Sequence, residues 1–425
     1  MRSPSPEVTL VDKNKLRDFA RNNIVTIMFV VLCAVCMVFS GYTPAYVMYE
    51  LFGRLSRNAF IVLALIIPIV AGMGINFAIT IGAMAAQIAC ILVLEWGVQG
   101  FGGLALAALL TVPMAAVFGY FIGKLLNKMK GQEMIGGMIL GYFANGLYQL
   151  LCLFIFDNII PINNPDLTIK GSSGIANTMD LTKNGMASSL EKLWQLPVSS
   201  ASIVFAALIA VILLLGFARS RRKNGKKLAL QLVALAAAVA LMQLPAAKEL
   251  FTMVKIPMAT FGLVVLLCIM NVLIMRTRLG QQFRAVGQNR TVANAAGIHV
   301  DRVRIIAIVI STVLAGWGQL IFVQNLGAFQ TYGAADQVGL YAGAAILVGG
   351  ASVARATNAQ ALLGTILFHL MFILAPAAGK NLFGDAAIGE YFRVFLCYGV
   401  IALALVLHAW SSVAPKKKLK ASDKA

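Results

Sequence analysis

The chain is predicted to be an all-α, polytopic integral membrane protein with about 10–12 transmembrane or re-entrant helices. Three observations predict it. Hydrophobic residues make up 60% of the 425 residues and charged residues only 12%, far from the balance of a soluble domain. Mean hydropathy is +0.84. Apolar runs near the ~20 residues that a bilayer core requires recur with no interruption long enough for a second folded domain. One polytopic domain is therefore expected over 22–412.

The amino-terminal segment 1–21, MRSPSPEVTLVDKNKLRDFAR, is polar and mixed in charge. The apolar stretch that follows, to Gly41, is longer than a signal-peptide core and reads as a retained first span. Further candidate spans fall at 57–75, 77–95, 101–123, 134–156, 198–217, 228–246, 257–275, 305–325, 337–353, 358–376 and 388–411. Several are short or interrupted by Gly, and such pieces read as re-entrant. Net charge is +19, and most of the 35 Lys and Arg cluster before residue 22, at 124–130, in RSRRKNGKK (219–227), in 276–304, at Arg355 and in the basic tail 413–425. The positive-inside rule places these clusters in the cytoplasm. Both termini are then cytoplasmic, and the number of crossings is even. The loop 157–197 comes out external, and its turn-forming stretch NNPDLTIKGSSGIAN predicts short helices across an outer mouth.

Two Gly-rich apolar stretches interrupt otherwise ordinary spans, AGMGINFAITIGAMAAQ (71–87) and GLYAGAAILVGGASVA (339–354). Each reads either as a break that marks a transport path or as tight packing of the small-xxx-small kind. The cysteines, Cys33, Cys36, Cys90, Cys152, Cys268 and Cys397, sit in or at the edges of apolar stretches, so packing is expected of them and not disulfides. His299, His369 and His408 are dispersed, and neither an HExxH nor a paired acidic motif occurs. No catalytic residue and no metal site is expected. Nor is there a G-x-x-x-x-G-K-[ST] to cradle a nucleotide.

The segment 276–304, RTRLGQQFRAVGQNRTVANAAGIHVDRVR, is polar, lies between two apolar spans and carries six arginines against one acid, Asp301. Helix-forming composition predicts one helix from Thr277 to Val286, broken at Gly287. Asn289 is placed to cap a second short helix, RTVANAA, which Gly297 ends. Two such turns, about 10 Å long, suit a helix lying along the membrane face, with Phe283, Val286, Val292 and Ala296 available for apolar contacts. Flanking arginines suit anionic lipid or an acidic protein partner. Topology enforcement alone would explain the charge but not the Gly287, Asn289 and Gly297 punctuation.

GQQFRAVGQN, then ANAAGIHVDRVR and the span IVISTVLAGWGQL, resemble the cytoplasmic coupling segment of bacterial ABC importer permeases. The branch is the one that handles ribose-type sugars, nucleosides and branched-chain amino acids. Matched positions are Gly280, Arg284, Ala285, Gly287, Asn289, Ala293, Gly297, Ile298, Arg302, Ser311, Ala315 and Gly316. INFAITIGAMAA resembles the family's early Gly-containing motif, and AAILVGGASVARATNAQALLGTILF its late GG motif, so the resemblance covers 57–376. Asn76 and Phe77 stand where many sugar permeases have Asp-Leu-Ser, AGWGQ with Trp317 and Gln319 replaces a more Gly-rich run, and ASVARATNAQ follows the late GG.

The resemblance implies a pair of cytoplasmic ABC ATPases docking on the coupling segment, where Gly280, Phe283, Arg284, Ala285, Val286, Gly287, Asn289, Ala293 and Gly297 are the expected coupling residues. It also implies a second permease subunit, identical or related, and an external substrate-binding protein. ATP and Mg belong to the partner ATPase, and no cofactor is expected on this chain. Membrane lipid is a further expected partner, and nucleic acid is not. The expected location is the bacterial inner membrane.

Pathway candidates are the few polar or Gly positions within the spans, Asn76, Phe77, Gly82, Asn145, Gln149 and His369. Amides and a histidine there equally serve helix packing. Near-absence of acids from the apolar windows argues against an ion-coupled carrier, which normally places acids at mid-depth. The expected function is ATP-driven import of a small polar nutrient, a sugar or nucleoside. A branched-chain amino acid permease and an ion-coupled carrier are the alternatives.

Overall fold

The computed structural model describes residues 23–169, 174–219, 225–252 and 254–413. The expected 1–21 segment, the basic tail beyond Val413 and the middle of the 219–227 run lie outside the described residues, as do the side chains of Cys397 and His408.

The first half of the chain forms α1 (Ile24–Ser40), α2 (Pro44–Ala64), the short α3 (Ile66–Val70), α4 (Ile79–Glu95), α5 (Gly100–Lys128) and α6 (Glu133–Leu150), which runs on through a π-helical turn to Ile155. The connecting region that follows contains β1 (Thr178–Asp180), α7 (Ser189–Leu193) and β2 (Gln195–Pro197). Next come α8 (Val198–Arg219), α9 (Gly225–Gln243), α10 (Pro245–Leu250), β3 (Lys255–Pro257), α11 (Met258–Ile274), α12 (Arg278–Gln288) and α13 (Arg290–Ala295). The chain closes with α14 (Val300–Leu326), β4 (Ala328–Gln330), α15 (Val338–Val348), α16 (Asn358–Phe383) and α17 (Ala386–Val413).

Every apolar window expected from the sequence contains a helix, although 71–78 and 349–353 are not helical, and the all-α class holds. Among the described residues, five helical stretches are long and apolar enough to cross a membrane: 44–70, 100–128, 133–155, 300–326 and 358–383. The pair α11 and α12, bent by 76°, makes a sixth when counted as one span. Several other windows form shorter apolar helices, α15 the shortest of them.

The second window needs correction. Its expected start at 57 followed the apolar run, but the helix begins at Pro44, where Thr43 caps it by accepting from the Tyr46 N–H. The charged residues that hid this start find partners within the fold. Arg54 pairs with Glu50 one turn away at 3.6 Å, and Arg57 donates to Asn325 of α14 at 3.1 Å. Asn325 in turn bonds Glu191 of α7.

α14 lies at the centre, packed on α2, α4 and α5. Small residues allow that approach: a Cβ on Gly119 would stand 2.9 Å from Val309 Cα, and one on Gly123 3.0 Å from Ile305 Cα. Ser311 ties α14 to the Ala64 carbonyl of α2 at 2.9 Å. Trp317, part of the run that departs from the family pattern, donates its indole N–H to the Ala108 carbonyl of α5.

Contacts sort the connections into two ends of the bundle. At one end β1 pairs antiparallel with β4, Met179 opposite Phe329, and β2 with β3, Leu196 opposite Ile256. Glu95 at the end of α4 accepts from the Asn163 and Asn164 backbone there. The described residues of 157–197 thus contain one short helix and two strand segments, where short helices were expected; strand pairing beside α14 and α11 satisfies backbone groups that isolated turns would leave open. At the other end lie 276–299, the break at 71–74, the α5–α6 turn and the residues before α16. Asn127 donates to the Asp301 carbonyl there, and Asn271 bonds both the Leu63 carbonyl and Asn358. The described cysteines are free, and Cys33, Cys36, Cys90 and Cys152 are buried.

Candidate functional site

α12 begins at Thr277, whose hydroxyl accepts from the Gly280 N–H at 3.3 Å, and it continues through Gly287 to Gln288. The expected break at Gly287 is therefore displaced to Asn289. Gly287 serves close approach instead: a Cβ there would fall inside contact distance of the Val70 carbonyl, and one on Gly72 would lie 2.7 Å from Gly287 Cα. Gly280 fits against the end of α11 in the same way. Asn289 caps α13 as expected, its side-chain oxygen accepting from the N–H groups of Thr291 and Val292 at 3.0 and 3.1 Å. Gly297, at φ +81°, ends that turn.

The two faces of this helix pair differ. Phe283, Val286 and Ala293 are buried in the chain's own core, so they hold the segment to the bundle and are not free for a partner. Ala285 is half-buried, while Gln281, Arg284, Gln288, Thr291, Val292, Asn294 and Ala296 face outward. Val292 is 63% exposed. Arg284 also donates to the Met275 carbonyl at 2.8 Å, closing the end of α11. A basic cleft lined by Lys130, Arg290, His299 and Arg304, with Asp301 at its edge, opens beside α13.

Beneath α13 sits an ionic node that sequence reasoning did not single out. Glu133, the first residue of α6, accepts on one oxygen from Arg290 at 2.7 Å and from Arg304 at 2.5 Å. Arg290 also donates to the Gly72 carbonyl at 2.9 Å. Arg304 is 0% exposed and Glu133 7%. Four parts of the chain meet here: the start of α13, the start of α14, the start of α6 and the break before α4. The sequence signal was one acid and one arginine, each at the first turn of an apolar span.

The two Gly-rich stretches also meet. A Cβ on Gly339 of α15 would stand 2.6 Å from the Phe77 carbonyl oxygen and 2.9 Å from the Thr80 hydroxyl. The ring of Phe77 lies against Gly343. Beside this contact a pocket opens between α4, α6 and α15, lined by Phe77, Thr80, Met138, Tyr142, Asn145 and Asp336 among others. Asn145 donates to Asp336 at 2.8 Å.

Of the expected pathway residues, the structure brings only Phe77 and Asn145 to this pocket. Asn76 turns into a local cap, accepting from the Ala78 N–H at 3.1 Å. Gly82 packs against the Thr312 backbone of α14. Gln149 lies one turn beyond Asn145 on α6. His369 packs edge-on against Phe368 and Phe372 and lines a separate pocket with Asn58 and Gln337. Asp336 escaped the sequence reading because it falls just outside the apolar window at 337–353. It is exposed, so it is not an acid of the apolar interior.

Residues 47–405 match the family model described as the branched-chain amino acid transport system / permease component. The chain belongs to this permease family. Among curated proteins, the nucleoside ABC transporter permease proteins NupB and NupC of Lactococcus lactis subsp. cremoris are similar to this permease. NupB is 26% identical over 38% of this chain and 42% of its own, and NupC 29% identical over 40% and 51%. The probable ABC transporter permease protein YphD of Escherichia coli K12 is 31% identical over 36% of this chain and 43% of its own. The matches thus span about half the length of those relatives or less. No solved structure matches. Family membership and the apolar helices together make the chain a multi-span membrane permease component.

Proposed function

We propose that this permease is the membrane-spanning subunit of an ATP-driven importer of nucleosides or related sugars in the bacterial inner membrane. Its 276–304 segment docks a cytoplasmic ATPase, which supplies ATP and Mg chemistry that this chain does not. The observation that carries the reading is the two-faced α12–α13 pair. Its inner face buries Phe283 and is anchored through Gly287 and Arg290 to the break before α4, and its outer face is exposed. The cleft beside it, lined by Lys130, Arg290 and His299, suits acidic side chains of a partner. A push on α13 would reach α6 and α4 through Glu133 and Gly72, the two elements that line the Phe77 and Asn145 pocket.

In this assembly a second permease subunit covers the exposed face of α6, and an external substrate-binding protein delivers cargo to the 157–197 end. Both termini lie in the cytoplasm. The nucleoside cargo is favoured by the printed names of two relatives, NupB and NupC; Asn76 and Phe77 in the early motif are shared by the nucleoside and amino-acid branches and do not separate them. Val292→Glu tests the docking role, because Val292 is exposed and makes no contact that the fold needs. The variant is expected to insert and remain stable while ATPase co-purification and uptake fall at least tenfold. Undiminished assembly and uptake would remove the coupling reading.

Uptake that persists in ATP-depleted vesicles and follows an imposed proton gradient would favour an ion-coupled carrier instead.

A further inference from the structure

A groove of about 380 Å³ runs between α5 and α11, with the central helix α14 as its floor. Side chains within 101–108 of α5, 263–270 of α11 and 314–321 of α14 line it, and Phe60 of α2 and Leu190 of α7 complete the lining. Each helical stretch rises about 10 Å. All three lie toward the strand-bearing end, where α5 and α11 begin and α14 finishes. The floor is deep, with Leu314 3% exposed, while the rim is open at Leu266, 60% exposed.

Few occupants suit these walls. Every lining side chain is apolar apart from the indole N–H of Trp317, which is already donated to the Ala108 carbonyl at 3.0 Å. Water settles in a cavity only with about two to four polar partners, and these side chains offer it none. An empty groove of this size would forfeit the dispersion contacts of its walls, against the close packing usual in folded chains. The occupant is therefore apolar.

The surroundings identify it. The rim is continuous with the outward apolar side chains of Leu109 on α5 and Ile269 on α11, which face the bilayer in a multi-span membrane protein. Trp96 and Trp194 are exposed at the strand-bearing end, and such rings mark the headgroup level of a bilayer. Trp194 stands at the head of α11, its carbonyl accepting from the Ala259 N–H. Lys192 and Lys255 are exposed at the same end, and neither makes an ion pair among the described residues. Free cations at that level suit the phosphate of a headgroup. The length of the groove also fits within one leaflet, about half of the ~30 Å hydrocarbon core. α6, whose exposed face is proposed for a second permease subunit, contributes no lining residue.

We propose that this groove seats one acyl chain of a phospholipid from the leaflet at the strand-bearing end, with its headgroup near Lys192 and Lys255. The chain completes the packing of α14, the helix that leads out of the 276–304 segment. This seat depends on the membrane placement of the permease and not on its cargo.

The test uses the full-length permease in lipid nanodiscs that contain phosphatidylethanolamine with a diazirine in one acyl chain. After illumination, adducts are mapped by peptide mass spectrometry. The unaltered protein is expected to carry adducts on 314–321 of α14, which lipid outside the groove cannot reach, and on Ile139 and Phe143 of α6, which serve as the control. In Ala105→Trp the ring takes the space of the chain, so adducts on 314–321 are expected to fall about tenfold while those on α6 change less than about twofold. Ala105→Leu is expected to give an intermediate loss, and it carries the test if the Trp variant does not insert. Absence of adducts on 314–321 in the unaltered protein, or equal yields there in all three proteins, overturns the lipid seat while leaving the permease reading in place. Oxidative cross-linking of two permease chains through Ala105→Cys would give the groove to a second copy and overturns it as well.

Discussion

Gly287 and Gly72 meet backbone to backbone, and neither position has room for a side chain. Gly287→Val is expected to force α12 away from the Val70 carbonyl at a cost of about 1–3 kcal/mol, as for other overpacked sites. A lowered thermal midpoint of the detergent-solubilised permease checks this, and an unchanged midpoint would mean that the contact is slack. Glu133 bears a heavier duty, since among the described residues it is the ion-pair partner of the wholly buried Arg304. Glu133→Gln leaves that cation uncompensated, and breaking such a buried pair costs about 3–5 kcal/mol. Glu133→Gln combined with Arg304→Met removes the stranded charge, so the double variant is expected to be more stable than the single one. If the two lose stability equally, the ionic account of the node is wrong.

α6 is the least covered of the long apolar helices, with Ile135, Ile139, Tyr142 and Phe143 all exposed along one side. Lipid can cover such a face, but the same helix carries Asn145 toward the candidate path, which places the face near the proposed second permease subunit. Ile139→Cys, at a position 58% exposed, is expected to cross-link two permease subunits in an identical pair when oxidised in native membranes. In a mixed pair it would link to the related subunit. Failure to cross-link at Ile139, Ile135 and Phe143 alike would assign this face to lipid. α2 carries a lesson of a different kind. Its charged first half hid its start, and that half is capped by Thr43 and held by the Arg57 bond to Asn325 and the Arg54 pair with Glu50.

The whole bundle separates its strand-bearing end from the 276–304 end along the length of α14. That separation predicts opposite accessibility. Thr178→Cys, exposed on β1, is expected to react with a membrane-impermeant maleimide in cells whose outer barrier is open but whose inner membrane is intact. Ala295→Cys, exposed at the end of α13, is expected to react only after that membrane is permeabilised. Burial of Cys33, Cys36, Cys90 and Cys152 keeps the native background low. Reaction of both variants from the same side would overturn the assigned orientation.

Much of this was legible in the residues, and the parts that were share a property: they depend on neighbours a few positions away. Apolar runs marked the helices, since a span must satisfy its own backbone within the bilayer. Asn289 and Gly297 announced the two ends of α13 through capping and left-handed backbone, both local effects. The rest needed contacts that no local pattern encodes. Asn145 reaches Asp336 across 191 residues, Arg290 reaches Glu133 across 157, and Arg290 reaches Gly72 across 218. A residue such as Gly287 looks like a helix breaker when only its neighbours are known, and proves to be a point of close approach once Val70 and Gly72 are beside it. Composition and periodicity thus decided that the chain is a helical membrane protein with a capped, basic segment between two spans. Only the packing of distant segments decided which charges are paired, which polar residues share a pocket, and which face of that segment is left open.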